Sequence, residues 1–229
     1  MIFEIHGNTG GCVVQFPSRQ SIMMGFRLKR PGEEKGMCGR YYVDDDTARE
    51  IEKLVHQVDR KLHGTGNGDI HPSENAMVLT GRKTSLSAEV MKWGFPQYRG
   101  KGLLINARSE TVLDKRMFRD SVLHRRCIIP AKHFYEWDRS KEKVSFFREN
   151  SPVIYMAGFY NRFQEEDRFI ILTVPANVSV EPVHDRMPLI LEEQEIQDWV
   201  YEDRFLDYAL HKQQPQLQKY QPYIQQSLF

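Results

Sequence analysis

CIIPA at 127–131, HFYEWD at 133–138, VSFFRE at 144–149, VIYMAGFYNRF at 153–163 and RFIILTVPA at 168–176 follow one another with only polar turns between them. All five runs are rich in β-branched and aromatic residues, which fit a pleated surface, so each predicts a strand. Short polar turns between successive strands favour antiparallel pairing, and this half of the chain is expected to be a largely antiparallel sheet system. Upstream, DDTAREIEKLVHQVDRKLH places Ile51, Leu54, Val55, Val58 and Leu62 at helical spacing, with acids early and Lys61 and His63 late. That order suits the helix dipole and predicts a helix over 45–63. GTGNGDIHPSEN at 64–75 reads as a loop, and AMVLTG at 76–81 and AEVMKWGFP at 88–96 as short strands. EEQEIQDWVYEDRFLDYALHKQ at 192–213 predicts a helix or a pair of helices, and the polar tail after it can add a last strand. The class is α+β, a single compact domain.

Composition narrows the function. With 229 residues, 40% apolar and 28% charged, the chain can bury one good core and falls short of two full domains. It has no apolar run of membrane-spanning length, and its opening residues lack the order of a secretory signal, so a cytoplasmic protein with no membrane partner is expected. Cys12, Cys38 and Cys127 are widely spaced, with no histidine at ligand spacing, which points to neither a disulfide framework nor a zinc site. No metal and no cofactor are expected, and each thiol is filler or nucleophile. Residues 1–36 show no sustained period and end in the polar RPGEEKG. They read as an atypical N-terminal extension, with the domain proper at 37–229. The extension carries five Lys and Arg against three Asp and Glu, so the remainder holds 27 basic against 28 acidic side chains. Any affinity for nucleic acid must come from a local basic groove.

Four short stretches place reactive or phosphate-binding side chains where packing alone does not require them: Met37-Cys38-Gly39-Arg40, Ile105-Asn106-Ala107-Arg108, Phe134-Tyr135-Glu136-Trp137 and His184-Asp185-Arg186-Met187-Pro188. A lone Cys is more often a small buried hydrophobe than a nucleophile. Glu136, between Tyr135 and Trp137 on a strand, points away from those rings, and burial there would raise its carboxyl pKa as a general acid needs. A solvated Glu on an amphipathic strand is its bland counterpart. His184 sits in a Pro-bounded loop where an imidazole of pKa ~6.5 could transfer a proton or simply cap the surface. Arg40, Arg108 and Arg186 each have the planar fork that grips a phosphate, although most arginines sit in surface ion pairs.

Taken in order, MCGR, WGF, INAR, RMF, the aromatic-aromatic-Glu-Trp step and HDRMP resemble the SRAP family, the SOS response-associated peptidases that process abasic sites. The resemblance runs from Met37 essentially to the C-terminus and implies a barrel-like sheet core with flanking helices. It also implies that Cys38, once its α-amine is free, bonds to the aldehyde of an abasic site in single-stranded DNA and closes a thiazolidine. In that scheme Asn106 orients the amine, Glu136 shuttles protons, and His184 assists ring chemistry or its reversal. Arg40, Arg108 and Arg186 would hold flanking phosphates, Trp93 and Phe118 would pack against bases, and Pro72 would line the groove. Abasic-site lyase and autopeptidase activity in the DNA damage response, and action as a monomer, belong to the same expectation.

One departure bears on this. Cys38 follows 37 residues, and an amide nitrogen cannot form an imine. Either translation begins at Met37, a reading helped by the Gly32-Glu33-Glu34 codons that can spell a ribosome-binding sequence, or the chain cleaves its own Met37–Cys38 bond. A non-covalent single-strand binder and a cysteine hydrolase with a Cys38–His184 dyad are the rivals from other classes.

Overall fold

The computed structural model describes residues 39–55, 68–83, 85–98, 100 and 102–222. Its elements run β1 (Tyr41–Val43), α1 (Asp45–Leu54), β2 (Gly68–Ile70), β3 (Asn75–Arg82), β4 (Ser85–Trp93), β5 (Phe95–Pro96), β6 (Leu103–Leu104) and β7 (Asn106–Arg108). They continue with α2 (Arg116–His124), β8 (Arg126–Ala131), β9 (His133–Trp137), β10 (Lys143–Phe147), β11 (Ile154–Phe163), β12 (Glu166–Pro175), β13 (Arg186–Pro188), β14 (Ile190–Leu191), α3 (Ile196–Tyr201), α4 (Phe205–His211) and β15 (Gln218–Tyr220).

Five strands close on themselves in the order β12, β4, β3, β8, β11 and back to β12. Closure removes the sheet edges that would otherwise expose unpaired amides. Four of these pairings are antiparallel, as the alternating runs predict, and β12 with β4 is parallel. Val78, Leu79, Ile128, Ile129, Met156, Phe159, Ile170 and Ile171 are all fully buried, so the strand residues chosen for β-branching and aromaticity are the core. A second, antiparallel sheet has the order β15, β10, β9, β1, β2. The tail does supply a last strand, since β15 pairs with β10. Among the described residues no helix is long and apolar enough to cross a membrane.

Three local expectations need correction. The helix predicted over 45–63 ends at Leu54, where Val55 turns extended at φ −110° and ψ 115°. Positions 56–63 lie outside the described residues. Its start is as expected, with the Asp44 side chain accepting from the Thr47 amide at 3.0 Å. Gly68–Ile70, read as loop, forms β2 because its backbone pairs with Tyr41–Val43, a partner that local composition does not reveal. RMFRDSVLH, read only as a motif, is α2, which buries Phe118, Ser121 and Val122 on one side.

The barrel closes tightly at Gly158 on β11. A Cβ there would stand 2.4 Å from Ile129 Cδ1 and 2.5 Å from the Ile170 carbonyl oxygen, and that oxygen is part of the β12 backbone. We therefore expect Gly158→Ala to cost about 1–3 kcal/mol by overpacking. Thermal melts should record it as a drop of roughly 2–4 °C per kcal/mol for a chain of this size. A variant melting with the parent would contradict the close approach of β11 and β12.

Candidate functional site

Gly39 and Arg40, the residues after Cys38, lead into β1 and bring two motifs together. The Tyr135 amide donates to the Arg40 carbonyl at 3.0 Å, which extends the β1–β9 register toward Glu136. On the other side, a Cβ on Gly39 would lie 4.0 Å from Ile105 Cδ1, next to Asn106. The chain on the C-terminal side of Cys38 thus bonds to the Glu136 strand and passes near Ile105 of the INAR motif. Cys38 itself lies outside the described residues. Glu136 faces away from Tyr135 and Trp137, and it is 1% exposed, which removes the solvated-surface reading of its carboxyl.

Asn106 is held by its neighbours. The Ile105 carbonyl accepts from the Trp93 indole Nε1 at 3.0 Å and from the Ile171 amide at 3.1 Å. β7 then runs parallel to β12, with Asn106 opposite Ile171 and Arg108, which is exposed, opposite Thr173. The other edge of β12 carries β13, with Pro175 opposite Arg186. His184 stands just before β13, and its Nδ1 accepts the Arg186 amide at 3.1 Å. Asn106 and His184 therefore belong to segments on opposite edges of one strand.

The arginines separate into two kinds. Arg40 lies over the Trp137 ring at 5.5 Å and reaches Asp69 at 3.4 Å. Asp69 also accepts the Tyr135 hydroxyl proton at 2.8 Å, so His133 Nε2, 2.8 Å from that hydroxyl, must be the donor in their contact. Burial and the Asp69 carboxylate push the Tyr135 phenol up, and burial pushes His133 down. Arg186 is engaged within the chain. It is 8% exposed, and its two terminal nitrogens meet both oxygens of Glu110, one at 2.8 Å, while Nη2 also donates to the Thr173 carbonyl at 2.7 Å.

Two more expectations are corrected. Trp93 is 0% exposed and stacks on Phe169 at 6.2 Å, and Phe118 is 3% exposed against Phe95 and Phe159. Both are core residues with no face to offer a base, because the pairing of β4 and the packing of α2 turn them inward. Pro72, half-buried, occupies a turn whose Ser73 amide donates to the Trp93 carbonyl at 2.8 Å. The exposed aromatic of this region is one that the motifs missed: Tyr98, 92% exposed, between β5 and β6 just ahead of the INAR strand. Its signal was a single aromatic in the otherwise polar and Gly-rich QYRGKG. The same hairpin packs Phe95 on Phe118 of α2, whose Arg116 and Arg119 are exposed together with Lys115 just before it.

A sequence model of the family described as SOS response associated peptidase (SRAP) matches residues 37–225. The chain belongs to this SRAP family. Similar relatives include the abasic site processing protein YedK of Escherichia coli, 27% identical over 179 residues that cover 73% of this chain and 81% of YedK. YoaM of Bacillus subtilis, an abasic site processing protein by name, is 29% identical over 181 residues, covering 72% and 79%. Among solved structures, a Bordetella bronchiseptica protein superposes with a TM-score of 0.68 at 22% identity, over 82% of this chain and all of that one. That likeness is one of fold.

The Arg186 guanidinium holds the Glu110 carboxyl below its ordinary value of 4.5. A carboxyl lowered by folding stabilises above its unfolded pKa, and the contribution fades as pH falls through the lowered folded value. Glu110 is about half exposed, so solvent screening keeps the effect modest. The melting temperature of Glu110→Gln should lie below the parent's at neutral pH, with the gap closing on acidification through the lowered Glu110 value. A gap that stays constant on acidification would mean that the ion pair does not contribute.

Proposed function

We propose that this protein acts on abasic sites in single-stranded DNA and bonds to them through the amine and thiol of Cys38. The observation that carries this reading is that Arg40, two residues after Cys38, bonds to the strand of the buried Glu136 while Gly39 lies near Ile105 of the INAR motif. The family's relatives in two bacteria, known as abasic site processing proteins, lend independent support.

An opened abasic deoxyribose presents an aldehyde at C1′. The Cys38 amine adds to it and expels one water to leave an imine; the thiol then adds across the C=N bond, sulfur to carbon and hydrogen to nitrogen. Reference pKa values of about 7.7–8.0 for the amine and about 8.5 for the thiol leave both a useful reactive fraction near neutrality, and their attachment to adjacent carbons favours closure. Asn106, as a neutral amide, orients the amine without fixing its charge. Glu136 delivers the proton that lets the carbinolamine hydroxyl depart as water, a task suited to a carboxyl kept from solvent. His184 serves ring closure and its reversal. Arg40 and Arg108 hold phosphates beside the lesion, Pro72 lines the groove, and Tyr98 offers the aromatic face against a neighbouring base. An imine at an abasic site can also lead to strand cleavage, so weak lyase activity accompanies the crosslink. All of this needs a free Cys38 amine, from initiation at Met37 or from cleavage of the Met37–Cys38 bond by the protein itself.

The test is a denaturing gel of protein with single-stranded oligonucleotide bearing one abasic site. Protein expressed from Met37 should give a heat-stable shifted band that Cys38→Ala abolishes and an undamaged oligonucleotide does not give. Glu136→Gln should slow its appearance by about 10²–10⁴-fold, the usual worth of a positioned proton donor. Salt-sensitive binding that survives Cys38→Ala, with no covalent band, would establish the non-covalent binder instead.

A further inference from the structure

One face of the second sheet carries a chain of contacts that ends on Arg40. In the register of that sheet Asp69 of β2 lies opposite Tyr42 of β1, and Tyr42 lies opposite His133 of β9. Side chains alternate along a strand, so Tyr135 and Trp137 share the face of His133, and Glu136 takes the other. The His133 ring stacks on Tyr42 with centroids 4.8 Å apart, and its Nε2 donates to the Tyr135 hydroxyl at 2.8 Å. That hydroxyl donates to Asp69 Oδ1 at 2.8 Å, and the other carboxylate oxygen, Oδ2, meets Arg40 Nη1 at 3.4 Å. The Asp69 carboxylate is thus anchored by a buried phenol on one side and touches the guanidinium on the other.

Arg40 keeps most of its donors. Its Cζ lies over the Trp137 ring at 5.5 Å, Nε is buried with no hydrogen-bond partner among the described residues, and Nη1 directs one of its two N–H groups at Asp69. One N–H on Nη1 and both on Nη2 remain, enough for a two-pronged grip on a phosphate. A long side chain normally loses rotamer freedom when it binds, a cost that one already ordered by its neighbours avoids.

We propose that Asp69 is a positioning residue, which, anchored by Tyr135 and His133, fixes the Arg40 guanidinium against Trp137 so that its remaining N–H groups meet a phosphate of the DNA strand. The inference rests on the proposed phosphate contact of Arg40 and is independent of the bond-forming chemistry at Cys38.

Binding of the full chain to an undamaged single-stranded oligonucleotide, titrated at several salt concentrations, tests it without any crosslink. Arg40→Ala should weaken binding and lower the salt slope by roughly 0.7, the share of one phosphate on a single strand. Tyr135→Phe and Asp69→Asn should each weaken binding by about 2–10-fold, the cost of ordering one long side chain. Neither should weaken it further once Arg40 is alanine. Asp69→Asn removes a negative charge, so electrostatics alone would tighten binding, and the sign of the change separates positioning from repulsion. In nitrogen-15 relaxation the Arg40 Nε–H should be as rigid as the backbone in the parent and mobile in Asp69→Asn, a signature that a stability loss alone would not give. The proposal is overturned if Asp69→Asn tightens DNA binding, if Tyr135→Phe acts equally with and without Arg40, or if the Arg40 Nε–H relaxes alike in parent and variant. If Arg40→Ala itself changes neither affinity nor slope, the phosphate contact fails and the proposal with it, a result distinct from the other three.

Discussion

β12 is hydrogen-bonded along both edges, and the arrangement of the site follows from that. Its first half pairs with β11 on one side and β4 on the other, closing the barrel; its second half pairs with β13 and β7. A strand saturated in this way has little freedom to slide, since a shift of one residue would reverse every side chain along it. Ile170, Ile171 and Leu172 are fully buried, so the register is fixed by packing as well as by the ladder. INAR and HDRMP, about eighty residues apart in the chain, are thereby set on opposite flanks of one rigid element. Sites on such elements are held more precisely than sites on loops.

The second sheet contributes the remaining motifs through β1 and β9. The Glu136 carboxyl is turned inward by strand alternation, while His133, Tyr135 and Trp137 on the opposite face meet Asp69, Arg40 and Lys143. Positive charge is thus placed locally in a chain whose net charge is only +1. A long-range field would contribute little to the capture of DNA, and contacts within about a Debye length, some 8 Å at physiological salt, must supply it.

Much of this was legible in the sequence. The five strand runs, the start of α1 and the helical C-terminal segment followed from side-chain period and type, because those signals are local, whereas the burial of Glu136, opposite its flanking rings, is shown only by the fold. The misreadings concern residues whose fate is decided far along the chain. Trp93 and Phe118 are aromatic residues beside functional motifs, and only the pairing of β4 with distant β12 and the docking of α2 show that they are core, while Tyr98 is left outside. Arg186 meets its partner across a separation of 76 residues, which no window on the sequence spans. β2 is three residues long and exists because β1 offers it an edge.

The central claim is that both nucleophiles of one residue, Cys38, close a ring on the abasic sugar, and intact-protein mass spectrometry of the adduct followed by peptide mapping tests it most directly. The account predicts a mass equal to protein plus oligonucleotide less one water, located on a peptide that begins at Cys38 and whose thiol no longer reacts with an alkylating agent. An adduct of the same mass on a lysine, or on Cys38 with its thiol still open to alkylation, would contradict it.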